Sequence, residues 1–191
     1  MNKLVLAGIF GAALLAKCCG DDFASLYPLY GDRDLVYEEG LVGTWYIDDD
    51  DWRVIFSRAG EGYQVTIEEK DGSEWKEASV VDCFLVRLDG SLFVDLSKSG
   101  EAIRGHAYFI ITLDGGTDTL QATWFKNDWL EEKVVDEAAL QHLDVPGTGT
   151  VITAPTRELQ RFVRKYAHDP DAFEEWISFH RRAPDSGDGA R

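Results

Sequence analysis

The sequence predicts a mainly β protein: an antiparallel up-and-down meander of about eight strands closing into a barrel, with C-terminal α-helices packed on it. Three observations predict this. Between Leu41 and about Lys133 apolar and polar residues alternate with period two, the period of a strand with one buried face. The runs are separated by Asp48 to Asp51, Ala59-Gly60-Glu61-Gly62, Lys70-Asp71-Gly72-Ser73, Asp89-Gly90, Lys98-Ser99-Gly100 and Asp114-Gly115-Gly116. Such loops leave no room for crossover helices, and their Asp-Gly and Gly-Gly pairs supply the positive φ of hairpin turns. After Asn127 the period changes, and helical spacing sets in beyond Pro155.

Strands are expected near 42–48, 52–58, 62–69, 75–81, 83–88, 91–97, 105–113 and 118–125. Alternation assigns the inward face to Trp45 and Ile47, to Trp52, Val54 and Phe56, and to Tyr63, Val65 and Ile67. Later strands contribute Phe84, Val86 and Leu88, then Leu92, Val94 and Leu96, then Phe109, Ile111 and Leu113, and last Leu120, Ala122 and Trp124. Arg53, Gln64, Thr66, Glu68, Arg87, Asp95, Gln121 and Thr123 take the opposite face, toward water. Closing the sheet hides the apolar face and removes both exposed edges, and eight strands leave an interior that side chains can fill. Trp45, Trp52, Phe56, Tyr63, Phe84, Phe109 and Trp124 are thus the candidates for lining the interior or touching a ligand within it.

Trp129 to Leu143 reads as a last strand followed by a helical turn or more, and Pro146-Gly147-Thr148-Gly149 breaks the chain. A helix starts at Pro155 with Leu159, Phe162, Val163 and Tyr166 on one stripe, and Arg164 and Lys165 complement the dipole near its end. A second is expected from Asp169-Pro170, where Phe173, Trp176 and Ile177 repeat the spacing. The organisation expected is a signal peptide over 1–17, a tether over 18–35, the barrel over 36–135, a helical extension over 136–182 and a disordered tail over 183–191.

The chain has 191 residues and a formal net charge of −16. So acidic a surface repels phosphate and argues against nucleic acid as a partner. The start reads MNKLVLAGIFGAALLAKCC, with Lys3 before an apolar run from Leu4 to Ala16. As a helix that run rises only about 20 Å, short of the ~30 Å hydrocarbon core, which makes it a signal segment rather than a membrane span. Leu15 and Ala16 before Cys18 resemble the cleavage box of bacterial lipoprotein leaders, with Lys17 as the departure. The resemblance implies acylation at Cys18, Cys19 being the second choice, and anchoring to a membrane facing the periplasm or cell exterior. Cys83 is expected as a half-buried strand thiol, and the three cysteines have no zinc spacing.

Gly43-Thr44-Trp45 resembles the Gly-x-Trp that opens the first strand of lipocalins and related calycins, and Thr117-Asp118-Thr119 resembles their Thr-Asp-Tyr. The resemblance implies that Trp45 plugs one barrel end under a basic residue, for which Lys126 is the nearest candidate after the last strand. It further implies carriage of a small apolar ligand.

No phosphate loop, nucleophile elbow or zinc-protease motif is present, and His106, His142, His168 and His180 are far apart in sequence. His106 is expected as a surface imidazole. Asp48, Asp49, Asp50 and Asp51 are weak calcium candidates, since the run lacks the glycine-set spacing of a dedicated loop and reads better as a solvated turn. The sequence therefore points to a non-enzymatic protein without a cofactor. Its alternatives are a membrane-anchored lipocalin-like carrier, or an accessory scaffold with a solid core that docks another envelope protein through Trp176.

Overall fold

The computed structural model describes residues 23–31, 33–47, 51–98, 105–116, 118–136, 138–146 and 149–181. In chain order the strands are β1 (Phe23–Ser25), β2 (Leu35–Val36), β3 (Gly43–Ile47), β4 (Trp52–Ala59), β5 (Gly62–Asp71), β6 (Glu74–Leu88), β7 (Ser91–Lys98), β8 (His106–Asp114) and β9 (Thr119–Trp124). Then follow α1 (Asn127–Leu130), which runs on as a π-helical turn, β10 (His142–Val145), β11 (Gly149–Ile152), α2 (Thr156–Tyr166) and β12 (Ile177–His180).

From β3 to β9 each strand pairs antiparallel with the next, as the short turns require. The meander alone leaves β3 and β9 as open edges. β12 fills the gap between them: Ile177 lies opposite Ala122, and Phe179 opposite Leu120 on one side and Ile47 on the other. The result is a closed antiparallel barrel of eight strands, seven from the meander and one from the C-terminal part.

Two expectations change here. The expected strands 75–81 and 83–88 are one continuous strand, β6, which passes a bulge opposite Ile67 and Glu68 without turning. The second helix expected after Asp169-Pro170 is a single 3₁₀ turn, Pro170–Ala172, and the chain then extends into β12. Ile177, Ser178, Phe179 and His180 alternate in and out, and the two open edges give this short run more hydrogen bonds than a solvent-facing helical turn would.

The register of β5 on β6 also decides which face of β6 enters the barrel. Tyr63 pairs with Cys83 and Val65 with Val81, and cross-strand partners share a face. Val81, Cys83 and Leu85 therefore point inward, while Phe84, Val86 and Leu88 take the outer wall. Gly62 marks how closely these strands approach, since a Cβ there would come within 2.5 Å of the Cys83 carbonyl oxygen.

That outer wall is not all solvated. A second apolar cluster joins Val86, Leu88, Phe93 and Ile110 to Leu29, Trp129, Leu159, Phe162 and Val163. The stripe of α2 thus packs on the barrel as the helical spacing predicts. Phe125 stacks on Trp129 at 5.5 Å, and Trp129 meets Tyr166 edge-on at 4.8 Å. Beside this cluster β1 continues the sheet from β8, and β11 and β10 add to it in turn. Of the expected tether, residues 23–31 and 33–35 run against the barrel, with Leu29 fully buried.

Candidate functional site

The barrel interior is the first place to look. Trp45, Trp52, Phe56, Tyr63 and Phe109 belong to one buried cluster with Val54, Val65, Val94 and Phe179, and Trp124 packs against it half-buried. Phe84, the remaining candidate, lies outside the lumen and faces the Tyr30 ring at 4.7 Å. The buried members of the cluster retain 9 % or less of their surface. They are withdrawn from water and pack on one another across the lumen, as eight-stranded barrels permit, and a small cavity of about 50 Å³ between the barrel and α2 is bordered by Ala107, Phe109 and Trp124. Phe56 and Tyr63 meet edge-on at 6.1 Å, as do Phe109 and Trp124 at 6.0 Å. Cys83 is a fully buried lumen thiol, deeper than its expected half-burial.

One barrel end is closed by the segment leading into β3. Val36, Tyr37, Leu41 and Val42 pack onto the lumen cluster. The Tyr63 hydroxyl accepts from the Glu38 N–H at 2.7 Å and donates to the Glu38 carbonyl at 3.0 Å. Burial pushes the Tyr63 phenol up to about 12, so it stays neutral and able to donate. The Trp45 indole N–H donates to the Leu41 carbonyl at 2.8 Å.

Gly43, the first residue of the Gly-Thr-Trp run, has φ +133, a backbone setting that side chains rarely adopt. The turn it allows sets Trp45 beneath a guanidinium. That base is Arg181, immediately after β12, and not Lys126. Its Cζ lies 4.6 Å from the Trp45 ring centroid, and its Nη2 donates to the Val42 carbonyl at 3.0 Å and to the Gly40 carbonyl. The Arg181 N–H donates to the Asp118 carbonyl at 3.2 Å, and Arg181 Nε stands 3.8 Å from Asp118 Oδ1. Arg181 therefore joins the two sequence runs that carry the calycin resemblance. Lys126 instead donates to the Asp171 carbonyl at 3.1 Å, on the outer wall.

A buried polar cluster lies on the outer wall, where Asp95 and His106 were expected to meet water. Asp95 is fully buried, and its carboxylate accepts from the Leu29 N–H at 2.7 Å and contacts His106 Nδ1 at 2.7 Å. Burial raises the Asp95 carboxyl above the usual range, while the hydrogen bonds from His106 and Leu29 pull it back. Around it the Gln160 amide donates to the Leu29 carbonyl at 2.9 Å and to Asp34 at 2.7 Å, and Thr156 donates to the Pro28 carbonyl at 2.8 Å. The cluster straps residues 28–31 and 34 between α2 and β7. Its geometry is that of a structural tie: His106 is 7 % exposed. Thr123, also expected toward water, is buried and donates to the Glu174 carbonyl at 2.8 Å.

The surface also carries an open concavity of about 1670 Å³ along β8 and β9, lined by residues of both their faces, Ile111 and Leu113 of the lumen side among them. Ile110, Thr112 and Thr123 line it from the outer face of the sheet, together with His168, Phe173 and Trp176. Trp176 is 47 % exposed. Glu38, Asp128, Asp169, Glu174 and Glu175 line it against Arg87 and Lys126, so the concavity is acidic with an aromatic rim.

The remaining sequence candidates are dispersed. Cys18, Cys19, Asp48, Asp49, Asp50 and Thr117 lie outside the described residues. Asp51 is exposed and takes a backbone hydrogen bond from Lys70 at 2.7 Å. Among the described residues no group of three or more His, Cys, Asp or Glu is set to hold a metal ion, and no helix is long and apolar enough to cross a membrane. Arg181 is the residue that sequence reasoning missed; the signal was a base directly after an alternating four-residue run. Comparison with protein-family models, curated proteins and solved structures returns no match to this chain.

Proposed function

We propose that this protein is a non-enzymatic, calycin-like barrel anchored to a membrane through acylated Cys18, and that it works through its outer wall as a docking scaffold. The observation that supports docking over carriage is the close packing inside the barrel: Trp45, Trp52, Phe56, Tyr63 and Phe109 belong to one buried cluster in the space a carried ligand would need. The outer concavity, with Trp176 exposed on it and carboxylates in excess around it, suits an apolar segment of an envelope protein flanked by basic residues. Aromatic side chains in such a setting are the usual anchors of an interface.

Titration of tryptophan fluorescence with fatty acids and with ANS separates the two readings. Docking through the wall predicts no saturable change. Saturable quenching, altered by substitution at Phe109 or Trp124, would return the function to carriage of a small apolar molecule. The anchor is tested by metabolic labelling with palmitate, which is expected to label the wild-type chain and not Cys18→Ser.

A further inference from the structure

We propose that the sheet face formed by β1, β11 and β10 lies against the lipid surface, holding the barrel in one orientation on the membrane. This rests on the acyl-anchor reading of Cys18. Three observations carry it.

The first is the length of chain between anchor and fold. Residues 25–31 and 33–34 are not a swinging tether: Ser25 and Leu29 are buried, and the hydrogen bonds from Leu29, Gln160 and Thr156 hold the segment to β7 and α2. Only residues 19–22 separate Cys18 from β1. At roughly 3.3–3.6 Å per residue, the five steps from Cys18 to Phe23 span at most about 18 Å. The point where β1 begins is therefore held within one protein radius of the lipid headgroups.

The second is what lies at that point. Ala24, Val151 and Leu143 form one row across β1, β11 and β10, and Phe23 enters opposite Thr150, one residue from Gly149 and its partner Val145. Residues two apart in a strand share a face, which places Val145 with that row, and Leu26 follows directly on β1. Leu143 is 60 % exposed, Leu26 40 % and Val145 38 %. With Tyr27 these are four of the five large apolar side chains that stand exposed among the described residues, Trp176 being the fifth. Asp144 is on the other face and accepts from Thr150 at 3.0 Å.

The third is charge. Among the described residues Ala24, Val151, Leu143 and Val145 form an uncharged row, with Asp144 on the opposite face, whereas the chain as a whole is −16. An uncharged apolar face with a tyrosine beside it fits the interfacial zone of a zwitterionic bilayer, and the acidic remainder keeps the rest of the molecule off the surface.

The test uses the full chain with its leader processed, in a Cys19→Ser background, carrying Leu143→Cys or Glu61→Cys labelled with bimane; Cys83 is shielded in the lumen. Glu61 lies in the exposed turn between β4 and β5, at the other end of the barrel. In phosphatidylcholine vesicles the label at 143 should shift to the blue, lose its quenching by aqueous iodide and gain quenching by lipid-borne nitroxide, while the label at 61 stays iodide-accessible. Equal iodide access at both positions in a palmitate-labelled protein would overturn the face and leave the anchor standing. Absence of palmitate label would overturn both. Protection at 143 that rises with protein concentration in detergent alone would assign the face to a second copy of this chain, through the β10 edge, and refute the lipid contact.

Discussion

Arg181→Ala tests whether the two signature runs are joined as described. The substitution removes a guanidinium 4.6 Å from the Trp45 centroid together with its hydrogen bonds to the Gly40 and Val42 carbonyls. A cation over an indole contributes about 1 kcal/mol at a partly desolvated site, and a charged hydrogen bond ~1.5–3 kcal/mol. A third of the Arg181 side chain is exposed, so water screens the charge and re-solvates the carbonyls. The discounted loss is about 2–3 kcal/mol. For a domain of this size that lowers Tm by roughly 5–10 °C. Urea unfolding followed by far-ultraviolet circular dichroism should give a lower midpoint at unchanged slope. Arg181→Lys keeps the charge and loses the planar fork, and should recover no more than about half. Asp118→Asn removes only the 3.8 Å ion pair and should stay within about 0.5 kcal/mol of the wild type. A loss under about 0.5 kcal/mol for Arg181→Ala would refute the clasp.

Asp95→Ala strips the acceptor from Leu29 and the partner from His106, and should cost about 3–5 kcal/mol by denaturant unfolding at neutral pH. Because burial raises the Asp95 carboxyl above the ordinary aspartate value of about 3.9, its contribution to stability is fully present below that pH and is lost as pH rises through the folded value. Asp95→Asn has no such group, so the stability difference between wild type and variant should move in the variant's favour over that interval; a difference flat with pH would contradict it. Gly43→Ala meets no clash, its nearest neighbour atom being 3.7 Å away, but forces alanine to φ +133. The expected cost is about 1–3 kcal/mol in the same unfolding assay. Leu159→Ala leaves a hole where α2 meets the wall and should cost about 2–5 kcal/mol, with lumen tryptophan fluorescence unchanged in the folded state.

Much of the barrel was legible because its evidence is local. Period-two alternation and Asp-Gly turns fix antiparallel neighbours one hairpin at a time, and the positive φ of Gly43 is written into the Gly-Thr-Trp run. β6 was harder. Both its faces are apolar, Val81, Cys83 and Leu85 on one and Phe84, Val86 and Leu88 on the other, so alternation alone has no sign there. The partner register with β5 chose the face. Asp95, His106 and Thr123 read as solvated because strand alternation places them outside, and it carries no information on what later covers the outside.

What the sequence by itself determined is the set of hairpins, the amphipathic stripe of α2 and the acidity of the surface, all of which follow from neighbours within about ten residues. What only the tertiary structure decided is how the ring closes and what lies inside and upon it. β12, Arg181 and the Asp95–Leu29 bond link positions 55 (177 − 122) to 141 residues apart, and their geometry exists only after the chain has folded back on itself. A four-residue strand has too little periodicity to announce itself. Two unpaired sheet edges, each with backbone groups seeking partners, made it the eighth strand.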